Sequence, residues 1–178
     1  MVNLLKTPTR RRIVDVDELD ERFSQDVLEK QGGEKLRTCL QCGLCVASCP
    51  VRLVDERYNP RRLIKMVQLG MRHQVLSSET IWMCSFCYTC HERCPQDVKF
   101  PDLVNAIRNL AVEQGYIHPS FEKLLSIIKQ HDRMYEIDDF TNLLRTQAGL
   151  PEIQEKPKAV QKIFSMIEPE KTPKGRKK

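Results

Sequence analysis

The stretch C39-LQ-C42-GL-C45-VAS-C49-P50 decides how this chain is read. It returns 45 residues later as C84-SF-C87-YT-C90-HER-C94-P95. All eight cysteines lie in these two runs, at one spacing, and the closing proline is the only other residue the runs share. A pattern kept in the sulfurs and lost between them points to chemistry carried by the sulfurs. Two copies make a pair, not a solenoid.

Three uses of such a pattern compete. Disulfides fit poorly: four cysteines within eleven residues would close very small, strained loops, and the N-terminus shows no apolar secretory segment. Tetrahedral zinc usually takes two C-x2-C knuckles, or a Cys/His mixture, from separate segments; it needs neither a third cysteine at this interval nor the proline. The third use is iron–sulfur. The run C-x2-C-x2-C-x3-C-P is the bacterial two-cluster signature, in which the fourth cysteine ligates the other cluster. Three closely spaced thiolates on a curled loop cap three irons of one cubane. The Cys-Pro junction then holds the fourth residue out of the helical region and turns the chain away. The expectation is two [4Fe–4S] clusters with crossed ligation: Cys39, Cys42, Cys45 and Cys94 on the first, Cys84, Cys87, Cys90 and Cys49 on the second.

Each cluster would be fully ligated by cysteine, so no iron is left open for a hydratase-type reaction. The surroundings differ between the runs. Leu40, Gly43, Leu44, Val46 and Ala47 accompany the first; Ser85, Thr89, His91, Glu92 and Arg93 accompany the second. Local charge and hydrogen bonds to sulfur tune cluster potential, so two distinct potentials are expected. Trp82, Phe86 and Tyr88 either shield a cluster or belong to ordinary core. His91 reads best as a surface histidine, and His73, His118 and His131 carry no motif. No Gly-rich phosphate loop is present, so no catalytic or nucleotide-binding residue is expected in this chain.

The rest of the chain reads as mainly α. Leu19, Phe23, Val27 and Leu28 give helical spacing over Val16–Lys30, stopped by Gly32 and Gly33. Asn59 and Pro60 read as cap and first position of a helix carrying Leu63, Ile64, Val67 and Met71. Ser77 or Ser78 caps a short turn into Cys84. Pro101 opens a helix with Leu103, Val104, Ile107 and Ala111, and Pro119 opens the next. Two more cover "DFTNLLRTQAG" and "KAVQKIFSMI". Strand signals are nearly absent. The organisation expected is an N-terminal arm and helix (1–30), a two-cluster domain (31–117), a helical extension (118–167) and a basic tail (168–178).

The net charge of +5 belongs to that tail. The last eight residues, "KTPKGRKK", hold five basic side chains; without them 24 basic residues face 24 acidic ones. A solvated end is therefore favoured over a nucleic-acid site. No run of 18 or more apolar residues appears, so no transmembrane helix is expected and the cytoplasm is the expected compartment.

The long spacer from Cys49 to Cys84, with its helix, resembles the alpha-helical ferredoxin domains of succinate dehydrogenase and fumarate reductase iron–sulfur subunits. Those also carry a [2Fe–2S] domain, which this chain lacks. The free-standing version resembles the C subunit of heterodisulfide reductase. The resemblance spans about residues 30–117, including "CPQDVKFPDLVNAIRNLA" from Cys94. It implies an electron-transfer role in a complex. A flavin-containing partner donates, and a catalytic partner with Cys-Cys-Gly motifs cleaves the disulfide of coenzyme M and coenzyme B. No Cys-Cys-Gly occurs here, so the catalytic step lies elsewhere. Competing readings are a free-standing ferredoxin and the iron–sulfur subunit of another oxidoreductase, whether sulfur-oxidising, glycolate-oxidase-like or quinone-linked.

Overall fold

The computed structural model describes residues 14–153 and 159–167. The arm before residue 14 and the basic tail from residue 168 lie outside them. The described residues are helical and contain no strand, and none of their helices is long and apolar enough to cross a membrane. The chain divides between Leu110 and Ala111 into two compact units.

The first unit is built on one well-specified helix, α4 (Pro60–Gln68). The Asn59 side chain accepts the Arg62 backbone N–H at 2.9 Å, and Pro60 supplies a fixed φ at the first position. One face of α4 carries Leu63, Ile64 and Val67, all buried. It packs against α1 (Phe23–Leu28), which buries Phe23 and Val27, and against α5 (Arg72–Leu76), which buries Val75 and Leu76. Phe100, Leu103, Val104 and Ile107 of α7 (Phe100–Glu113) are buried as well.

The helix expected over Val16–Lys30 is interrupted. A 3-10 turn covers Val16–Glu18, and α1 begins only at Phe23. The cause is long-range. The Asp20 N–H donates to the Gly70 carbonyl at 2.8 Å, and the Asp20 carboxylate receives Arg72 Nε. Arg72 also pairs with Asp26 and lies 5.0 Å over the Phe23 ring. Gly70 makes this approach possible. Its φ is +77°, and a Cβ there would stand 2.5 Å from the Asp20 carbonyl oxygen.

Two short helices, α2 (Leu44–Ala47) and α6 (Thr89–Glu92), carry the third cysteine of each run and pack against one another. A further helix, α3 (Pro50–Val54), follows Cys49 directly. Ser78 caps the 3-10 turn Glu79–Met83 that leads into Cys84, accepting the Thr80 N–H. The second unit contains α8 (Pro119–His131), α9 (Asp139–Gln147) and α10 (Ala159–Ile167). Pro119 opens α8 and the Asp138 carboxylate caps α9. α8 packs on α10, with Lys129 Nζ 4.9 Å from the Phe164 ring centre.

Candidate metal centre

The two cysteine runs fold alike although their intervening residues differ. In the first, Gln41 and Gly43 are left-handed, at φ 58° and 89°; in the second, Phe86 and Tyr88 stand at the same positions, at φ 52° and 58°. Each left-handed pair curls its loop, and the second member then starts the short helix. The Gly43 carbonyl accepts the N–H groups of Val46 and Ala47; the Tyr88 carbonyl accepts those of His91 and Glu92. Only Gly43 announces this geometry in the sequence. Tyr88 adopts it without the freedom of glycine, and its hydroxyl donates to Asp102 Oδ1 at 3.1 Å.

After each short helix the chain turns away at the Cys-Pro junction. Cys49 is extended (φ −80°, ψ 118°), as a residue before proline must be. Beyond Cys94, Asp97 is left-handed and the Val98 N–H folds back onto Cys94 Sγ at 3.2 Å.

The outcome is two cavities. One is lined by Cys39, Cys42, Cys45 and Cys94, with Ile64, Val98 and Arg61 on its walls. The other is lined by Cys84, Cys87, Cys90 and Cys49, with Val51, Tyr58 and Pro101. Cys90 and the buried Phe100 stand between them and line both. The second cavity draws Cys84, Cys87 and Cys90 from one run and Cys49 from the other; the first draws Cys39, Cys42 and Cys45 from one run and Cys94, beside the shared Cys90, from the other.

The thiol chemistry follows from burial. Desolvation pushes Cys45 up to about 11, aided by Cys39, Cys42 and Cys94 nearby. It pushes Cys90 up to about 12, aided by Cys84 and Cys45. Such thiols stay protonated near neutrality unless bound cations hold them as thiolates. Cys87 is different. The Thr89 N–H and hydroxyl, with the Ser85 hydroxyl, lower its pKa. Gln41 Nε2 donates to Cys39 Sγ at 3.5 Å.

Among the described residues, no three Cys, His, Asp or Glu side chains converge on a point that a single metal ion would fill. The sulfurs instead surround two volumes. All-thiolate donors around a volume suit iron–sulfur cubanes, whose irons sit apart from one another and each take one thiolate.

Of the aromatic residues left open by the sequence, Phe86 and Tyr88 are exposed rather than core, and Trp82 is half-buried. His91 is half-buried, and its Nε2 meets Asp97 Oδ1 at 2.7 Å. Asp97 also pairs with Lys35, and Lys35 with His91 holds its carboxyl down to about 2. Two residues that the sequence did not single out lie beside the second cavity. Tyr58 is buried and shares the cavity wall with Cys84. Arg108 is buried and reaches the Cys84 carbonyl. Neither carries a local motif; both are visible only once the chain is folded.

A family model described as a 4Fe-4S dicluster domain matches residues 35–98, the segment holding all eight cysteines. Fold and site therefore define a helical iron–sulfur protein of the [4Fe–4S] type. Its relatives are more specific. The C subunit of the H(2):CoB-CoM heterodisulfide,ferredoxin reductase of Methanothermobacter marburgensis is 33% identical over 153 residues, covering 84% of this chain and 82% of the relative. The iron-sulfur C subunit of the CoB-CoM heterodisulfide reductase of Methanopyrus kandleri is 34% identical, covering 86% and 80%. The C subunit of the ferredoxin:CoB-CoM heterodisulfide reductase of Methanosarcina mazei is 30% identical, covering 82% and 92%. The chain belongs to the family of heterodisulfide reductase C subunits and is a redox subunit.

Proposed function

We propose that this chain relays electrons through two [4Fe–4S] clusters within a heterodisulfide reductase complex. It takes them from a flavin-containing subunit and hands them to a catalytic subunit with Cys-Cys-Gly motifs, which reduces the heterodisulfide of coenzyme M and coenzyme B. The observation that carries the reading is the exchange of a cysteine between the cavities. Cys39, Cys42, Cys45 and Cys94 would hold the first cluster; Cys84, Cys87, Cys90 and Cys49 would hold the second. When bound, each cluster stores and releases one electron.

The chain's own residues do the rest. Cys49 and Cys94 tie each loop to the other's cavity. Ile64, Val98 and Phe100, all buried, keep water from the sulfurs. Leu40 and Leu44 beside the first cavity, and Leu53 and Val54 on α3, are exposed apolar side chains, as are Phe140, Leu143 and Leu144 on α9. Apolar side chains left at a surface suit a subunit that docks on partners. Functionally the cluster-bearing segment is 31–117, flanked by the arm and helix before it, the helical extension to residue 167, and the tail.

The test begins with anaerobically purified protein, which should be brown and contain about eight irons. Cys49→Ser should then alter the electron paramagnetic resonance signal of one cluster. The spectrum of the cluster on Cys39, Cys42 and Cys45 should persist. Loss of that signal with the other intact would refute the crossed ligation. Recovery of a flavoprotein and a Cys-Cys-Gly protein on affinity purification from the native cell tests the partners.

A further inference from the structure

The two cavities are not electrostatically alike, and the difference lies in residues remote from the cysteine runs. Arg108 is 7% exposed. Its Nε donates to the Ile81 carbonyl at 2.8 Å and its Nη2 to the Cys84 carbonyl at 3.3 Å. The guanidinium lies 4.8 Å from the Phe86 ring centre and 5.5 Å from that of Trp82. Arginine keeps its proton under all ordinary conditions, so a full positive charge is held in a low-dielectric wall behind the second run. Tyr58, 1% exposed, lines the same cavity as Cys84 and brings a phenol hydroxyl to it.

The first cavity has no counterpart of this kind among the described residues. Its cation is Arg61, an exposed side chain whose Nη1 reaches the Gln41 carbonyl at 3.4 Å. Its sulfur donors are Gln41 and the Val98 N–H. An exposed charge is screened by water and salt, whereas a buried one is screened much less.

Reduction adds one electron, and hence one negative charge, to a cluster. Buried cations and hydrogen-bond donors on its thiolates stabilise that reduced form and raise the potential. We infer that Tyr58 and Arg108 are positioning residues that make the second cluster the higher-potential member of the pair, so that the first electron to enter the chain comes to rest there. The inference rests on the proposed ligation, with Cys84 as a ligand of that cluster. It makes the Cys84–Cys90 side the thermodynamic sink of the pair.

An anaerobic redox titration of the full chain, followed by electron paramagnetic resonance, tests it. Cys49→Ser marks which signal belongs to the second cluster. In the unaltered chain that signal should appear first as the potential is lowered. Tyr58→Phe, which removes one hydroxyl and keeps the ring, should shift the second midpoint downward and leave the first in place. Arg108→Gln should shift it further the same way, whereas Arg61→Gln should move the second midpoint not at all. A second midpoint unmoved by Tyr58→Phe, or a shift confined to the first cluster, overturns the inference. So does loss of iron from Tyr58→Phe, because the hydroxyl would then hold the fold rather than tune the cluster. An unaltered chain that lacks two four-iron signals would instead refute the ligation itself, a distinguishable outcome.

Discussion

Gly43 and Tyr88 occupy one position of the repeat and solve the same backbone problem differently. At Gly43 the φ of 89° costs nothing, because no Cβ is present. A Cβ there would meet only the Arg61 guanidinium, at 3.3 Å, and that flexible side chain moves aside. Strain therefore dominates over clash, and Gly43→Ala should cost about 1–2 kcal/mol, the penalty of a left-handed non-glycine residue. Anaerobic urea denaturation of the loaded protein measures it, and an unchanged midpoint would show that the loop relaxes to another conformation. At Tyr88 the same penalty is offset in part by the hydrogen bond to Asp102. The repeat thus preserves backbone shape and sulfur position, and leaves the residue type at each turn open.

The spacer helix α4 connects local sequence to the first cavity, since its buried Ile64 forms part of that wall. Its start depends on Asn59. Asn59→Ala leaves the Arg62 N–H without its side-chain partner and should destabilise the protein by about 1 kcal/mol, while Asn59→Asp, which keeps an acceptor, should cost much less. The two variants compared by thermal melting check this; equal losses would mean that side-chain packing, not capping, is what Asn59 supplies. α4 was legible in the sequence because cap, proline and apolar period fall within ten residues. α7, α8 and α9 were legible for similar reasons. α3 and α5 were not: five residues are too few for a helical period, and such short helices form only by packing. The break before α1 was hidden because Asp20 answers to Gly70 and Arg72, about fifty positions away. Tyr58 and Arg108 were hidden in the same way: Tyr58 shares a cavity wall with Cys84 and Arg108 reaches its carbonyl, each from more than twenty residues away. The cysteines stood out because ligand chemistry repeats at fixed spacing whatever lies between.

Crossed sulfurs make the two cavities mutually dependent, and this sets how stability is distributed over the chain. All eight cysteines fall between Cys39 and Cys94, inside the first compact unit; the second, from Ala111 onward, has none. Each cluster would close a loop between its own run and the other run's fourth cysteine, adding ties that a small helical core cannot supply by apolar burial alone. Removing iron also leaves half-buried Cys45 and buried Cys90 protonated, with pKa values about 11 and 12, so neither traps a thiolate charge there. The apo first unit should therefore open locally rather than collapse on unpaired charges. Hydrogen exchange before and after anaerobic chelation reads this directly. Amides from Cys39 to Leu110 should lose protection together, including those of α4 and α7 far in sequence from any cysteine. Amides of α8 and α9 should keep theirs, because their helices owe nothing to a cysteine ligand. Uniform loss over both units would mean that the clusters stabilise the chain as one cooperative body. No loss at all would mean that α2, α6 and the α4 core hold the curled loops unaided.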